Sequence, residues 1–229
     1  MIVSHKHKFI FIKTRKTAGT SVECALSAIC GHDDILTDLH SFEQHRVGDL
    51  RAQNYRYMPP LFSREWPNLI SRFLRHGKAP FDYFNHINAW RVEKRMSKTI
   101  WNNYFKFAFD RNPWDREMSS YSHRLSQCRA RKSFAEHVHD LPKDKIRNFE
   151  TYSIHGKVAM DFVGKYENLA ADLQKVMDEV GIKDEVAIPI TRSEHRKDRR
   201  PYRELYTPEM RDIIARVYPQ EIELLGYEF

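Results

Sequence analysis

Three short apolar segments constrain this chain more than anything else in it: "FIFI" (residues 9–12), "FKFAF" (105–109) and "DFVGKY" (161–166). Each is too short for a helix, rich in Phe, Ile or Val, and followed within a few residues by a helix signal. Buried strands that lead into helices, repeated along a chain, read as an α/β fold: a mostly parallel sheet flanked by helices. The first strand is expected over 8–13 and the first helix over 20–30, with Gly31 as its C-cap. Residues 86–104 carry helical spacing, Asn112 can cap a helix that has Pro113 at its first position, and "SFAEHVHD" (133–140) starts another helix. "ENLAADLQKVMDEVGI" (167–182) is amphipathic and closed by Gly181, and two helical pieces follow "TRSEHRKDRRPYREL" (191–205). A length of 229 residues fits one such domain with an insertion. The insertion is expected at 32–85, where Pro59, Pro60, Pro67 and Pro80 lie among scattered aromatics; it reads as irregular cover with short helices on the substrate side.

A formal net charge of +7 suits an anionic small ligand, a nucleic acid or an acidic polymer, and does not choose among them. The three cysteines, Cys24, Cys30 and Cys128, are odd in number, and the first two fall on one expected helix. That argues against a disulfide framework and for a reducing, cytoplasmic setting. Among 12 histidines none joins a cysteine at metal-ligand spacing. No signal peptide or anchor fits ahead of the first strand, and no apolar run approaches the roughly 20 residues that span a bilayer.

Open parallel sheets hold ligands at the carboxyl ends of their strands. After the first strand comes "KTRKTAGTS" (13–21). It has the place of a phosphate-binding loop but not the Walker order, because Lys16 precedes Gly19. The amides of Thr17, Ala18, Gly19, Thr20 and Ser21 are expected to face an anion, with the helix dipole adding about 0.3–1 kcal/mol. Gly19 permits close backbone approach, Lys16 supplies a point charge, and Thr20 and Ser21 supply hydroxyls. The competing reading makes Thr20 or Ser21 a helix cap and Lys16 a solvated side chain. After the second strand, Arg111 precedes a helix and Ser119 lies about two turns along it. The planar fork of Arg111 suits phosphate oxygens, with Ser119 on the same side. Here the competing reading pairs Arg111 with Asp110 or Asp115. Two anion sites at neighbouring strand ends imply a ligand with two separated phosphate groups.

"KTAGTS" (16–21) together with "FKFAFDRNPWDREMSSY" (105–121) resembles the sulfotransferase superfamily, nearest to its carbohydrate sulfotransferases. The likeness extends to 161–182 and to the tail from Tyr202. It implies a P-loop-like α/β fold and the donor 3′-phosphoadenosine 5′-phosphosulfate. The 5′ end of that donor would lie on Arg15, Lys16, Thr17, Ala18, Gly19, Thr20 and Ser21. Its 3′-phosphate would lie on Arg111 and Ser119, with Arg196, Arg200 and Tyr202 closing over the nucleotide. Two residues depart from the family pattern: Arg15 replaces a proline, and Asp110 replaces an apolar residue, where it either weakens phosphate affinity or orients Arg111.

The resemblance further implies an acceptor hydroxyl, of a carbohydrate or small molecule, and no required metal. Lys16 is then the cation at the leaving oxygen. His86, in an H-x-x-A segment opening the helix before the second strand, is the base; His40 is second choice and Glu93 third. Nucleic-acid binding and a P-loop-like kinase are the alternatives. No nucleic-acid motif supports the first, and the Walker order opposes the second.

Overall fold

Why four-residue strands suffice is plain from their faces. In the computed structural model, which describes residues 1–58, 66, 82–127, 132–144, 147–183, 186–189 and 200–229, strand β2 (Phe9–Ile12) alternates strictly. Phe9 and Phe11 join Phe107 and Phe109 of β4 (Phe105–Asp110) on one side of the sheet, whereas Ile10 and Ile12 join Ala108 on the other. Both sides are covered, so β2 is apolar at every position. The first side packs on Val22 and Leu26 of α1 (Gly19–Ser27) and on Leu173, Val176 and Met177 of α7 (Leu169–Glu179). The second packs on Ile87, on Ala89 and Val92 of α2 (Ala89–Arg95), on Trp101 of α3 (Lys98–Asn103), and on Tyr152.

The sheet also contains β1 (Ile2–Ser4), β3 (Ile35–Leu36) and β7 (Phe162–Lys165), in the spatial order β3-β1-β2-β4-β7. β2 and β4 are parallel, as are β4 and β7, while β1 runs antiparallel to both β2 and β3. Only β1 is therefore reversed, and the sheet is mostly parallel. Two strands of this sheet were beyond the sequence reading. β1 has three residues, too few for a period, and β3 lies in the stretch read as irregular cover, yet its Leu36 is fully buried. Asp34 pins this edge: it accepts from Ser4 Oγ (2.8 Å) and from the amides of His5 (2.6 Å), Lys6 (3.1 Å) and Gly31 (2.8 Å). That last contact occupies Gly31, and α1 ends earlier, at Ala28.

The expected helix over 86–104 is two helices, because Ser97 interrupts it and caps α3 by accepting from the Ile100 amide. Asn112 caps α4 (Pro113–Ser126) as read, accepting from the Trp114 amide. α5 (Phe134–Asp144) and the short α6 (Asn148–Tyr152) follow; β5 (Ser153–Ile154) and β6 (Lys157–Val158) form a separate hairpin. Gly181, at φ 75°, closes α7 with Gly181 N–H on Asp178 O and Ile182 N–H on Met177 O. α8 (Pro208–Val217) and α9 (Pro219–Leu225) pack with α4 and α5 around Trp114, Val138, Ile214 and Tyr218. Among the described residues no helix is long and apolar enough to cross a membrane.

Candidate functional site

The carboxyl ends of β2, β4 and β7 put three turns side by side. The first leaves β2 through Lys13 and Thr14, both buried. Thr14 Oγ1 donates to Phe109 O at the end of β4 and lies 2.9 Å from Thr17 Oγ1. The Thr14 hydroxyl thus ties the turn to the next strand and the Thr17 hydroxyl is engaged by Thr14, leaving the Thr17 amide as the group it can offer a ligand. Lys16 (φ 63°) and Ala18 (φ 54°) are both left-handed, with Thr17 between them. Non-glycine residues hold this conformation only when their surroundings impose it. Alternating left- and right-handed residues turn successive amides inward, a shape that suits anions. Ala18 is the N-cap of α1 and has no side chain to cap with, so the reading of Thr20 or Ser21 as a mere cap fails. Arg15 is exposed and Lys16 half-buried. The Arg15 backbone is clamped by Asn148, whose Oδ1 accepts from Arg15 N (2.9 Å) and whose Nδ2 donates to Arg15 O (3.0 Å).

Gly19 also has a partner within the protein. A Cβ there would lie 2.7 Å from Lys13 Cγ, so the glycine makes room for Lys13. Lys13, which the sequence reading passed over, pairs with buried Glu23 at 2.7 Å and donates to Asn85 Oδ1 at 3.2 Å. A lysine closing an otherwise apolar strand was the available signal.

The second turn holds Arg111. Its Nε and Nη2 both donate to Asp115 Oδ2, at 2.8 and 2.6 Å, and its Nη1 donates to Lys16 O at 3.2 Å. From the third turn, the Tyr166 ring lies 4.1 Å from Arg111 Cζ, a cation–π contact that no motif announced. Asp115 and Ser119, four residues apart on α4 and both half-buried, share one face of the helix, and Arg111, just ahead of it, pairs with Asp115. Asp110 does not orient the Arg111 guanidinium. It is fully buried and accepts from the Arg111 amide (2.8 Å), Asn148 Nδ2 (2.8 Å), Arg116 Nη1 (3.0 Å) and Tyr152 OH (2.9 Å).

His86 does not open α2. It sits three residues ahead, in a left-handed turn at φ 62°, with Nδ1 3.2 Å from Lys13 O. A carbonyl can only accept, so Nδ1 carries the proton and Nε2 keeps its lone pair. Burial first, then the cations Lys13 and Arg15, push its pKa down to about 3. His40 is exposed and pairs with Asp38 at 2.9 Å, and Asp38 O accepts from Asn85 Nδ2 at 2.6 Å. Glu93 is exposed and lines a cleft of about 820 Å³ with Trp90, Trp101 and His155. In the tail, Arg196 lies outside the described residues, and Arg200 is exposed. Tyr202 packs edge-on against Tyr206 and Phe229. Among the described residues no group of three or more His, Cys, Asp and Glu is arranged to hold a metal ion.

The profile of the sulfotransferase family matches residues 1–228. An uncharacterized protein of Archaeoglobus fulgidus is 34% identical over 109 residues, 44% of this chain and 88% of its own. A crystal structure of a sulfotransferase from Alicyclobacillus acidocaldarius aligns over 96% of both chains at 16% identity, with a TM-score of 0.44.

Proposed function

The chain belongs to the sulfotransferase family, and from that premise we propose that its donor is 3′-phosphoadenosine 5′-phosphosulfate and its acceptor the hydroxyl of a carbohydrate or small molecule. Sulfuryl transfer as such goes with the family. The donor is favoured by one observation above the rest. Two anion-suited turns, the left-handed Lys16–Ala18 turn before an uncapped helix and the Arg111 turn, end adjacent parallel strands. A ligand with phosphates at both ends of one nucleoside spans such a pair.

In this reading the amides of Thr17 to Ser21 and the charge of Arg15 hold the 5′ end, and Arg111 with Ser119 takes the 3′-phosphate. The acceptor oxygen attacks sulfur as the bond from sulfur to the bridging oxygen breaks, by analogy with in-line phosphoryl transfer. His86 Nε2 takes the hydroxyl proton, and Lys16 stabilises the charge that develops on the leaving oxygen. Burial holds His86 neutral first, and of the cations that add to it Arg15 is one the anionic donor would partly neutralise, so donor binding should raise its basicity. Arg196, Arg200 and Tyr202 remain candidates for the nucleotide cover, residues 32–85 for the acceptor side, and no metal is invoked. Cys24 and Cys30, both buried and free, accord with a cytoplasmic protein.

The test is ligand-linked stabilisation. 3′-Phosphoadenosine 5′-phosphate should raise the melting temperature well beyond what ATP or AMP does at equal concentration. An equal shift from ATP would sink the donor assignment and favour a kinase.

A further inference from the structure

Arg111 touches both turns. One edge of its guanidinium is held by Asp115 Oδ2, its face rests against Tyr166, and Nη1 reaches Lys16 O, 95 residues away in sequence. Lys16 is one of the two left-handed residues of the 5′ turn. In a trans peptide the carbonyl and the next amide point in opposite directions. Fixing Lys16 O therefore also fixes the direction of the Thr17 N–H, the first of the amides assigned to the 5′ end. The left-handed conformation is costly for lysine, and this bond is one of the contacts that impose it.

We infer that Arg111 is shared between the two halves of the donor site: besides meeting a 3′-phosphate, it positions the Lys16–Thr17 peptide that receives the 5′ end, and Asp115 positions Arg111. A guanidinium has five N–H groups, enough to keep Asp115 and Lys16 O while retaining one for a phosphate oxygen. A lysine at this place could supply a charge but not three fixed directions. Binding at the 3′ site then stiffens the 5′ turn, and the halves cooperate. This rests on the donor reading proposed above.

The experiment measures affinity for two ligands by calorimetry. Adenosine 5′-phosphosulfate engages only the 5′ half; 3′-phosphoadenosine 5′-phosphate engages both. Ser119→Ala should weaken only the second ligand. Arg111→Ala should weaken both, the first by about tenfold or more, as for loss of a charge-assisted hydrogen bond. Arg111→Lys, which keeps the charge and guards against loss of folding, should weaken the first ligand likewise. Asp115→Ala should weaken it as well and Asp115→Asn, whose amide oxygen still accepts, should largely restore it, with the ligand-free melting temperature unchanged between the two. Unaltered affinity for adenosine 5′-phosphosulfate in Arg111→Ala or Arg111→Lys overturns the shared role. The donor reading fails separately, on the wild type: no preference for the 3′-phosphorylated ligand, or binding of neither, removes it.

Discussion

Two arginine–aspartate pairs share the start of α4 and have opposite fates. Arg116 and Asp110 are both fully buried. Arg111 and Asp115 keep 14% and 18% of their side-chain surface. Around the first pair the protein closes completely: Asp110 gathers Asn148, Tyr152 and the Arg111 amide, while Arg116 lies over the Tyr218 ring (4.4 Å) with Glu221 at 3.6 Å. Even so, Arg116 Nε and Nη2 lack hydrogen-bond partners. Around the second pair one side stays open, along the face of α4 that carries Ser119. Identical chemistry is thus an internal fastener in one place and, in the reading proposed above, a ligand site in the other, and burial makes the difference. An ion pair wholly out of water is held by the cost of separating it, whereas one that keeps a side to solvent is less costly to separate.

The widest gap should appear in stability. Arg116→Met leaves Asp110 buried without its counter-charge and should cost roughly 3–5 kcal/mol in urea unfolding. Arg111→Met should cost about 1 kcal/mol or less. If the two substitutions destabilise equally, the distinction between fastener and site collapses.

In turnover the order should reverse. His86→Gln should lower the rate by about 10²–10⁴-fold with donor affinity kept. Lys16→Ala should likewise reduce turnover more than affinity. A loss confined to affinity would make Lys16 a ground-state clamp.

Smaller effects sharpen the boundary. Tyr152→Phe removes one buried hydrogen bond to Asp110 and should cost about 1–1.5 kcal/mol with little change in turnover. Gly19→Ala must displace Lys13 Cγ and should cost about 1–3 kcal/mol, whereas Gly31→Ala, whose Cβ would meet only Lys6 Cδ at 3.8 Å, should be nearly neutral. Near-neutrality of Gly19→Ala in thermal unfolding would show that Lys13 moves aside freely.

The acid response is confined to a window of pH set by His86. His86 has a pKa near 3 in the folded chain against 6.5 for the unperturbed residue. Between these values the unfolded chain binds a proton that the folded chain does not, so His86 lowers stability as pH falls from 6.5 towards 3. His86→Gln should flatten the stability profile over that window, and an unchanged slope would place the acid sensitivity elsewhere. For the same reason, the acidic limb of the pH–rate profile for the free enzyme should lie below the ordinary histidine range.

What the sequence by itself determined was local. The apolar runs of β2, β4 and β7, the Asn112 cap, the Gly181 closure and the resemblance in 16–21 and 105–121 depend on neighbours a few residues apart. These place the sheet's parallel core and the two turns at its edge. Tertiary structure decided the rest. Ile2–Ser4 is a strand because it sits between β2 and β3, and Asp110 is a buried hub because Asn148 and Tyr152 arrive from 38 and 42 residues away. Gly19 makes room for Lys13, a contact no motif announced, and His86 owes its depressed pKa to burial beside Lys13 and Arg15. The sequence showed that Arg111 could pair with either neighbouring aspartate. Which it chose, and that its third edge would reach Lys16 O, depended on the alignment of β2 beside β4, since a hydrogen bond needs both partners within about 3 Å and only the folded chain brings residues so distant that close.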